Sequence, residues 1–242
     1  MTQARFSELR RFVFHTVFSK CFAGFIALGL LLFVFMDTAE ISLIINEFVA
    51  SAHLDSFMKL YTDLALGWVF VALAVALLLF SFRHAVMTCA CGIVMGVVIT
   101  VLKRYIFSDE MRPTVEFGLQ QFNHIMHDYS YLEKYSFPSG HTMTAFAVAA
   151  LMSYFVKNKY AHIGFFAYAV LIAFSRVYLL EHFYRDVFWG AVIAYCVVAL
   201  VLSVYKFFEK IPNRGLYDTY LRRIIHRHST SSRNGTSKKS CE

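Results

Sequence analysis

At 242 residues the chain is long enough for one domain, and its 16% charged residues fall well below the roughly 25% of soluble proteins, while 58% are hydrophobic. This excludes an ordinary soluble globule, because six apolar runs would leave almost no chain to cover them. The net charge of +7 implies no nucleic acid, since the basic excess flanks the apolar runs, where it meets anionic lipid headgroups.

Residues 1–20 form a basic leading segment. Its Arg10-Arg11-Phe12 has a faint likeness to a twin-arginine export signal, but basic residues before a first membrane helix are ordinarily orientation signals. Six apolar runs follow, at 21–36, 64–82, 85–102, 142–156, 163–180 and 187–205. A crossing needs about 20 residues, so the shorter runs extend into flanking aromatic and basic residues. The first run is read as a retained anchor, because Asp37-Thr38-Ala39-Glu40 lacks a small-residue cleavage site. In the third, Gly92-x-x-x-Gly96 permits close helix packing.

The predicted fold is therefore all-α: a polytopic six-transmembrane-helix bundle over 21–205, preceded by the segment 1–20 and followed by a basic tail, 206–242. One outer connection, 103–139, is long enough to carry small helices or function. Its His124-x-x-His127-Asp128 cluster has no third histidine at metal-site spacing and reads as polar loop surface. In the tail, 217–228 reads as a basic amphipathic helix at the membrane surface and 228–239 as disordered. Cys21, Cys89, Cys91 and Cys196 lie in apolar runs and Cys241 in the tail, so no disulfide framework is expected.

Orientation follows from Lys and Arg, which stay on the cytoplasmic side. With the N-terminus inside, only Lys59, Lys103, Arg104, Arg112, Lys134, Arg176 and Arg185 of the 23 fall outside, and 16 fall inside. Both termini are expected in the cytoplasm.

Three outward segments then concentrate polar groups that hydrocarbon would exclude. They are Lys103 with Arg112-Pro113, Pro138-Ser139-Gly140-His141-Thr142, and Ser175-Arg176 followed by His182 and Asp186. The topology puts all three on one side, at the outer membrane-water interface. Lys103, Arg112 and Arg176 are three fixed cations suited to a phosphate dianion. Gly140 lets backbone approach a ligand closely, and the start of the fourth helix aims free N–H groups at an anion. His182 and Asp186 are four apart, so if the sixth helix begins near His182 the carboxylate can hold the imidazole N–H and free the other nitrogen to attack phosphorus. His141 would protonate the departing oxygen. Side-chain cations take the place of a metal clamp, so neither metal nor cofactor is expected.

In Pro138-Ser139-Gly140-His141 and Ser175-Arg176-x5-His182-x3-Asp186 the sequence resembles the type 2 phosphatidic acid phosphatases, integral membrane lipid phosphatases, and the six-helix layout extends the likeness over about residues 20 to 205. The resemblance implies His182 as nucleophile, Asp186 as its orienting partner, His141 as general acid, and Lys103, Arg112, Ser139, Gly140 and Arg176 as phosphate ligands. One departure stands out: the family usually has six residues between its Lys and Arg-Pro. Eight separate Lys103 from Arg112 here, and Arg104, with seven, is an alternative. Bacterial members act on lipid A, undecaprenyl diphosphate, phosphatidylglycerophosphate or phosphatidic acid. The aromatic loop Tyr129-Ser130-Tyr131-Leu132-Glu133-Lys134-Tyr135 is similar to loops of envelope lipid phosphatases and favours the first two, in the bacterial inner membrane. A phosphorylated membrane lipid is thus the expected partner, and the oligomeric state stays open. So do a lipid phosphotransferase using the same site and a non-enzymatic transporter, whose mark would be polar residues at the bilayer midplane. Haloperoxidase chemistry is disfavoured because those relatives are soluble.

The charge distribution makes a direct prediction. A reporter fused after Glu242 should read cytoplasmic and one near Gln120 external, and the reverse readings would overturn the orientation.

Overall fold

The computed structural model describes residues 2–126 and 129–207, and every regular element among them is helical. The chain begins with α1 (Thr2–His15) and α2 (Val17–Phe35), separated at Thr16, whose hydroxyl caps α2 by accepting from the Ser19 N–H. Then come α3 (Thr38–Phe48), α4 (Ala52–Thr62) with a 3₁₀ turn at Asp63–Ala65, and α5 (Trp68–Leu78). Helix α6 (Phe82–Val101) runs into a π turn at Leu102–Ile106. The short α7 (Pro113–Glu116) precedes α8 (Gly140–Phe155), α9 (Lys159–Tyr178) and α10 (Tyr184–Phe207).

Among the described residues four helices are long and apolar enough to cross a bilayer: Val17–Phe35, Phe82–Ile106, Lys159–Tyr178 and Tyr184–Tyr205. A fifth crossing results if the pair Ala52–Ala65 and Trp68–Leu78, bent by 61°, counts as one. The run 64–82 is thus not one straight helix. The 3₁₀ turn and the extended conformation of Leu66 break it, and only 11 residues continue as α5. The run 142–156 becomes α8, whose 16 residues span about 24 Å at 1.5 Å per residue. That falls short of a lipid-facing crossing, but α8 faces protein: every residue from Thr142 to Leu151 is buried, against α6, α9 and α10. Its alanines at 145, 147, 149 and 150 let those neighbours come close.

Helices α3 and α4 were not legible as membrane elements, being amphipathic and only 11 residues each. Their start was nevertheless encoded. Asp37 and Glu40 form a capping box, the Asp37 carboxylate accepting at the first turn while Glu40 accepts from the Asp37 N–H. Both helices anchor the long connection. Asn46 exchanges two backbone bonds with His124, and the His124 Nε2–H points at both Asp55 oxygens, 3.0 and 3.1 Å away. Tyr178 of α9 donates to the same carboxylate at 2.7 Å. His124 is therefore a tether, where the sequence suggested simple polar surface; His127, Asp128, Cys241 and the tail features at 217–228 and 228–239 lie outside the described residues.

Packing also separates the glycines. Gly92 meets the Phe70 ring of α5, whereas Gly96, its expected companion, faces open space. The closest approach is at Gly29 of α2, where an added Cβ would lie 2.3 Å from the Phe188 ring of α10. The cysteines at 21, 89, 91 and 196 are free.

Gly29→Ala should therefore destabilise the purified protein by about 1–3 kcal/mol through overpacking. Gly24→Ala, on an open stretch of the same helix, should be neutral or stabilising by up to about 1 kcal/mol. Thermal unfolding in detergent compares the two, and equal shifts would contradict the packing argument.

Candidate active site

One end of the bundle collects the chemically capable side chains. Lys103 arrives on the π turn ending α6, Arg112 on the connection before α7, Ser139, Gly140 and His141 at the start of α8, Arg176 in the last turn of α9, and Asp186 in the first turn of α10. His182 sits in the α9–α10 connection, two residues before α10 begins. It therefore does not share a helical face with Asp186.

The loop backbone holds its shape through bonds from Arg112 N–H to Glu133 O and from Ser136 N–H to Glu110 O, both 3.0 Å. Arg112 donates from Nε to Lys134 O (3.0 Å) and from Nη1 to Glu181 O (2.9 Å), and its guanidinium also pairs with the Glu181 carboxylate. Arg176 lies 3.5 Å from the same carboxylate and donates to Thr62 Oγ1 at 2.9 Å, while its buried Nε finds no partner. Glu181 is thus a buried bridge between two guanidinium groups that the motif spacing had paired only with phosphate. An acidic residue beside His182 at membrane depth was the available signal for it.

Lys103 Nζ donates to Tyr135 O at 2.7 Å, and its Cε lies 3.9 Å from where a Gly140 Cβ would stand. Arg104, the alternative, is exposed. Lys103 is therefore the cation the backbone directs into the site. A Cβ on Gly140 would meet only ordinary contacts, so protein packing alone does not require glycine there. At Gly190 of α10 it does: a Cβ would press to 3.1 Å on Ser139 O, and this closeness lets Ser139 N–H reach Asp186 O at 3.1 Å. Ser139 Oγ accepts from Thr142 Oγ1 at 3.0 Å and does not cap the helix. The N–H groups of Gly140, His141 and Thr142 precede the first helical acceptor and stay available to an anion.

His182 is 1% exposed, with Nδ1 at 3.5 Å from both Asp186 Oδ2 and Ser136 Oγ. The direct carboxylate contact is long because Oδ2 already accepts from Ser136 Oγ at 2.5 Å and from Phe183 N–H at 3.0 Å. Ser136, which spacing gave no reason to notice, is thus wedged beside the pair. Burial, followed by the positive charges of Lys103, Arg112 and Arg176 and the neighbouring His141, holds the His182 pKa well below its ordinary 6.5. The neutral ring keeps a lone pair, and its Nε2 has no protein partner among the described residues. His141 stands within the field of the same three cations.

Around this centre, Tyr129 packs edge-on against Tyr131 at 5.0 Å, and Lys59 lies over the Tyr129 ring at 5.4 Å. Among the described residues no three His, Cys, Asp or Glu side chains gather as a metal site. A tetrahedral anion fits the cations and N–H donors gathered here, whose charge the Glu181 carboxylate offsets only in part.

Comparison with known proteins agrees with this geometry. The chain is similar to the crystal structure of LpxE from Aquifex aeolicus, with 27% identity over 68% of this chain and 93% of that one, at a TM-score of 0.59. It shares its fold with a transmembrane PAP2-type phosphatidylglycerolphosphate phosphatase from Bacillus subtilis, with 22% identity over 72% and 86% of the two chains, at a TM-score of 0.51. No curated protein matches the sequence. The family model described as PAP2 superfamily matches residues 84–210, which contain every group of the site from Lys103 to Asp186, and with that match over more than half its length the chain belongs to the PAP2 superfamily of membrane phosphatases.

Proposed function

We propose that the enzyme hydrolyses a phosphomonoester or diphosphate of an envelope lipid without a metal, through a phosphohistidine on His182. The observation that carries this is the convergence of Lys103, Arg112 and Arg176 on two histidines at the end of membrane-crossing helices. A phosphate delivered there is most readily carried by a molecule anchored in the bilayer. Lipid A and undecaprenyl diphosphate are the favoured substrates, on the aromatic segment 129–135, with phosphatidylglycerophosphate and phosphatidic acid as the other members of the class. Membership of a phosphatase family sets the transporter alternative aside.

The three cations, with Ser139 and the N–H groups at Gly140, bind and polarise the phosphate oxygens, which favours the charge that develops on them in transfer. His182 Nε2 attacks phosphorus. As the N–P bond forms, the bond to the leaving oxygen breaks, and that oxygen keeps the electron pair and takes a proton from His141. Arrival of the phosphate's own negative charge among the cations favours the protonated imidazole this step needs. Water then attacks the phosphohistidine and gives a proton to His141, and the N–P electron pair returns to His182. Asp186, with Ser136 beside it, orients the His182 ring from the Nδ1 side. A lipid acceptor in place of water would make the enzyme a phosphotransferase, recognisable by labelled phosphate appearing on the acceptor.

We also read the fold as six crossings, α8 being the one short enough to need protein on every side, with both termini cytoplasmic, in the bacterial inner membrane, and the site facing outward. The distribution of basic residues supports this orientation.

Activity should survive EDTA, and a loss restored by added magnesium or zinc would oppose the histidine mechanism. His182→Ala should trap no phosphoenzyme with any substrate. His141→Ala should keep more activity on nitrophenyl phosphate than on a lipid alkyl phosphate, because general acid catalysis is worth about 10² to 10⁴ and matters least for a good leaving group; equal residual rates would remove His141 as the acid. The pH profile offers a separate check. A nucleophile whose pKa is lowered stays neutral into mildly acid solution, so the acid limb of kcat/KM from His182 should fall below about pH 6.5.

A further inference from the structure

Helix α8 runs away from the candidate active site, and its far end, about 24 Å from the first turn, opens on a second polar region. A half-open cavity of about 510 Å³ lies there between α1, the N-terminal ends of α2, α6 and α9, and the last turn of α8. Its volume is within the range of small-molecule sites, roughly 300 to 1,000 Å³. Arg11, Arg83, Lys157 and Lys159 line it, with three histidines and, among the described residues, no acidic one. The contrast with the catalytic end is chemical: there Glu181 and Asp186 offset the cations, whereas no carboxylate among the described residues lines this cavity, and Arg83 lies over the Tyr205 ring at 5.2 Å.

A ring of basic residues at helix ends would by itself indicate only orientation in the membrane. Two buried polar atoms in the lining point to an occupant. Ser153 is 3% exposed and its Oγ has no hydrogen-bond partner; His162 is 6% exposed and its Nδ1 likewise has none. His162 Nε2 lies 2.7 Å from Val156 O, and since a carbonyl can only accept, Nε2 carries the hydrogen. In the neutral ring Nδ1 is then an acceptor with nothing to accept from. Buried polar atoms without partners are uncommon and costly, and a ligand in a cavity they line can satisfy them. The site thus presents the cations of Arg11, Lys157 and Lys159 at its rim and a hydroxyl and a bare imidazole nitrogen within, over the apolar side chains of Phe12, Val17 and Phe155.

We propose that this cavity binds the headgroup of an anionic glycerophospholipid in the leaflet opposite the catalytic site. The basic side chains hold the phosphodiester, and Ser153 and His162 meet hydroxyl groups of the headgroup. Basic pockets between membrane helices suit such headgroups, and the bilayer supplies the ligand at high local concentration. The site is distinct from that of the substrate, whose phosphate engages the other end of α8.

The test uses the purified full chain and native mass spectrometry with phosphatidylglycerol and phosphatidylcholine of matched acyl chains. Phosphatidylglycerol should be retained and phosphatidylcholine lost. The double variant Arg11→Gln/Lys157→Gln should weaken phosphatidylglycerol retention about tenfold or more. Ser153→Ala, which changes no charge and removes only the hydroxyl, should weaken it as well, and both variants should keep the wild-type hydrolysis rate in detergent. Orthovanadate, a tetrahedral phosphate mimic directed at the catalytic end, should not displace the bound lipid. Equal retention of the two lipids, unchanged binding in both variants, or displacement by vanadate would overturn the proposal. So would equal thermal stabilisation by inorganic phosphate alone, which would make the occupant a free anion.

Discussion

Three cations cannot be gathered at the end of a membrane bundle without counter-charge, and the buried carboxylate of Glu181 supplies it by bridging Arg112 and Arg176. Taking charges out of water is expensive, and the arrangement is tolerable only when each is paired and hydrogen-bonded. Arg112 meets that condition with the Glu181 carboxylate and with carbonyls from Lys134 and Glu181, so the contacts that neutralise and satisfy it also tie the long connection to the α9–α10 turn. The Glu181 and His182 N–H groups in turn bond back to Arg176 O. The charge balance and the shape of the site are therefore one structure.

Asp186 has a comparable position on the other side. One oxygen accepts from Ser136 and the Phe183 N–H, while its backbone carbonyl accepts from Ser139 N–H. It thereby joins the loop, the start of α8 and the start of α10, the three pieces that surround His182. Helix α8 makes this possible, because alanine-rich packing brings α6, α9 and α10 close enough to converge on its first turn. The tether of His124 and Tyr178 to Asp55 fixes the outer part of the connection to α4, so the loop carrying Arg112 and Ser136 is held from both sides.

What the sequence determined by itself was the set of apolar runs, the helical class and the candidate site side chains in their motif order. Hydrocarbon length, charge asymmetry and the fixed spacing from Arg176 to His182 and Asp186 are local properties, readable along one chain. The capping box at Asp37 was equally local, though its helix was too short and amphipathic to announce itself. Tertiary structure alone decided which of Lys103 and Arg104 turns inward, because a π turn and the Tyr135 carbonyl choose between adjacent residues. It decided that the His182 to Asp186 contact is long and shared with Ser136, since α10 begins two residues after His182. The bridge of Glu181 and the cavity at the far end of α8 also belong to tertiary structure, for each joins residues distant in the chain. No periodicity or spacing encodes a contact between Arg112 and Glu181, which only the folding of the connection against α9 brings together.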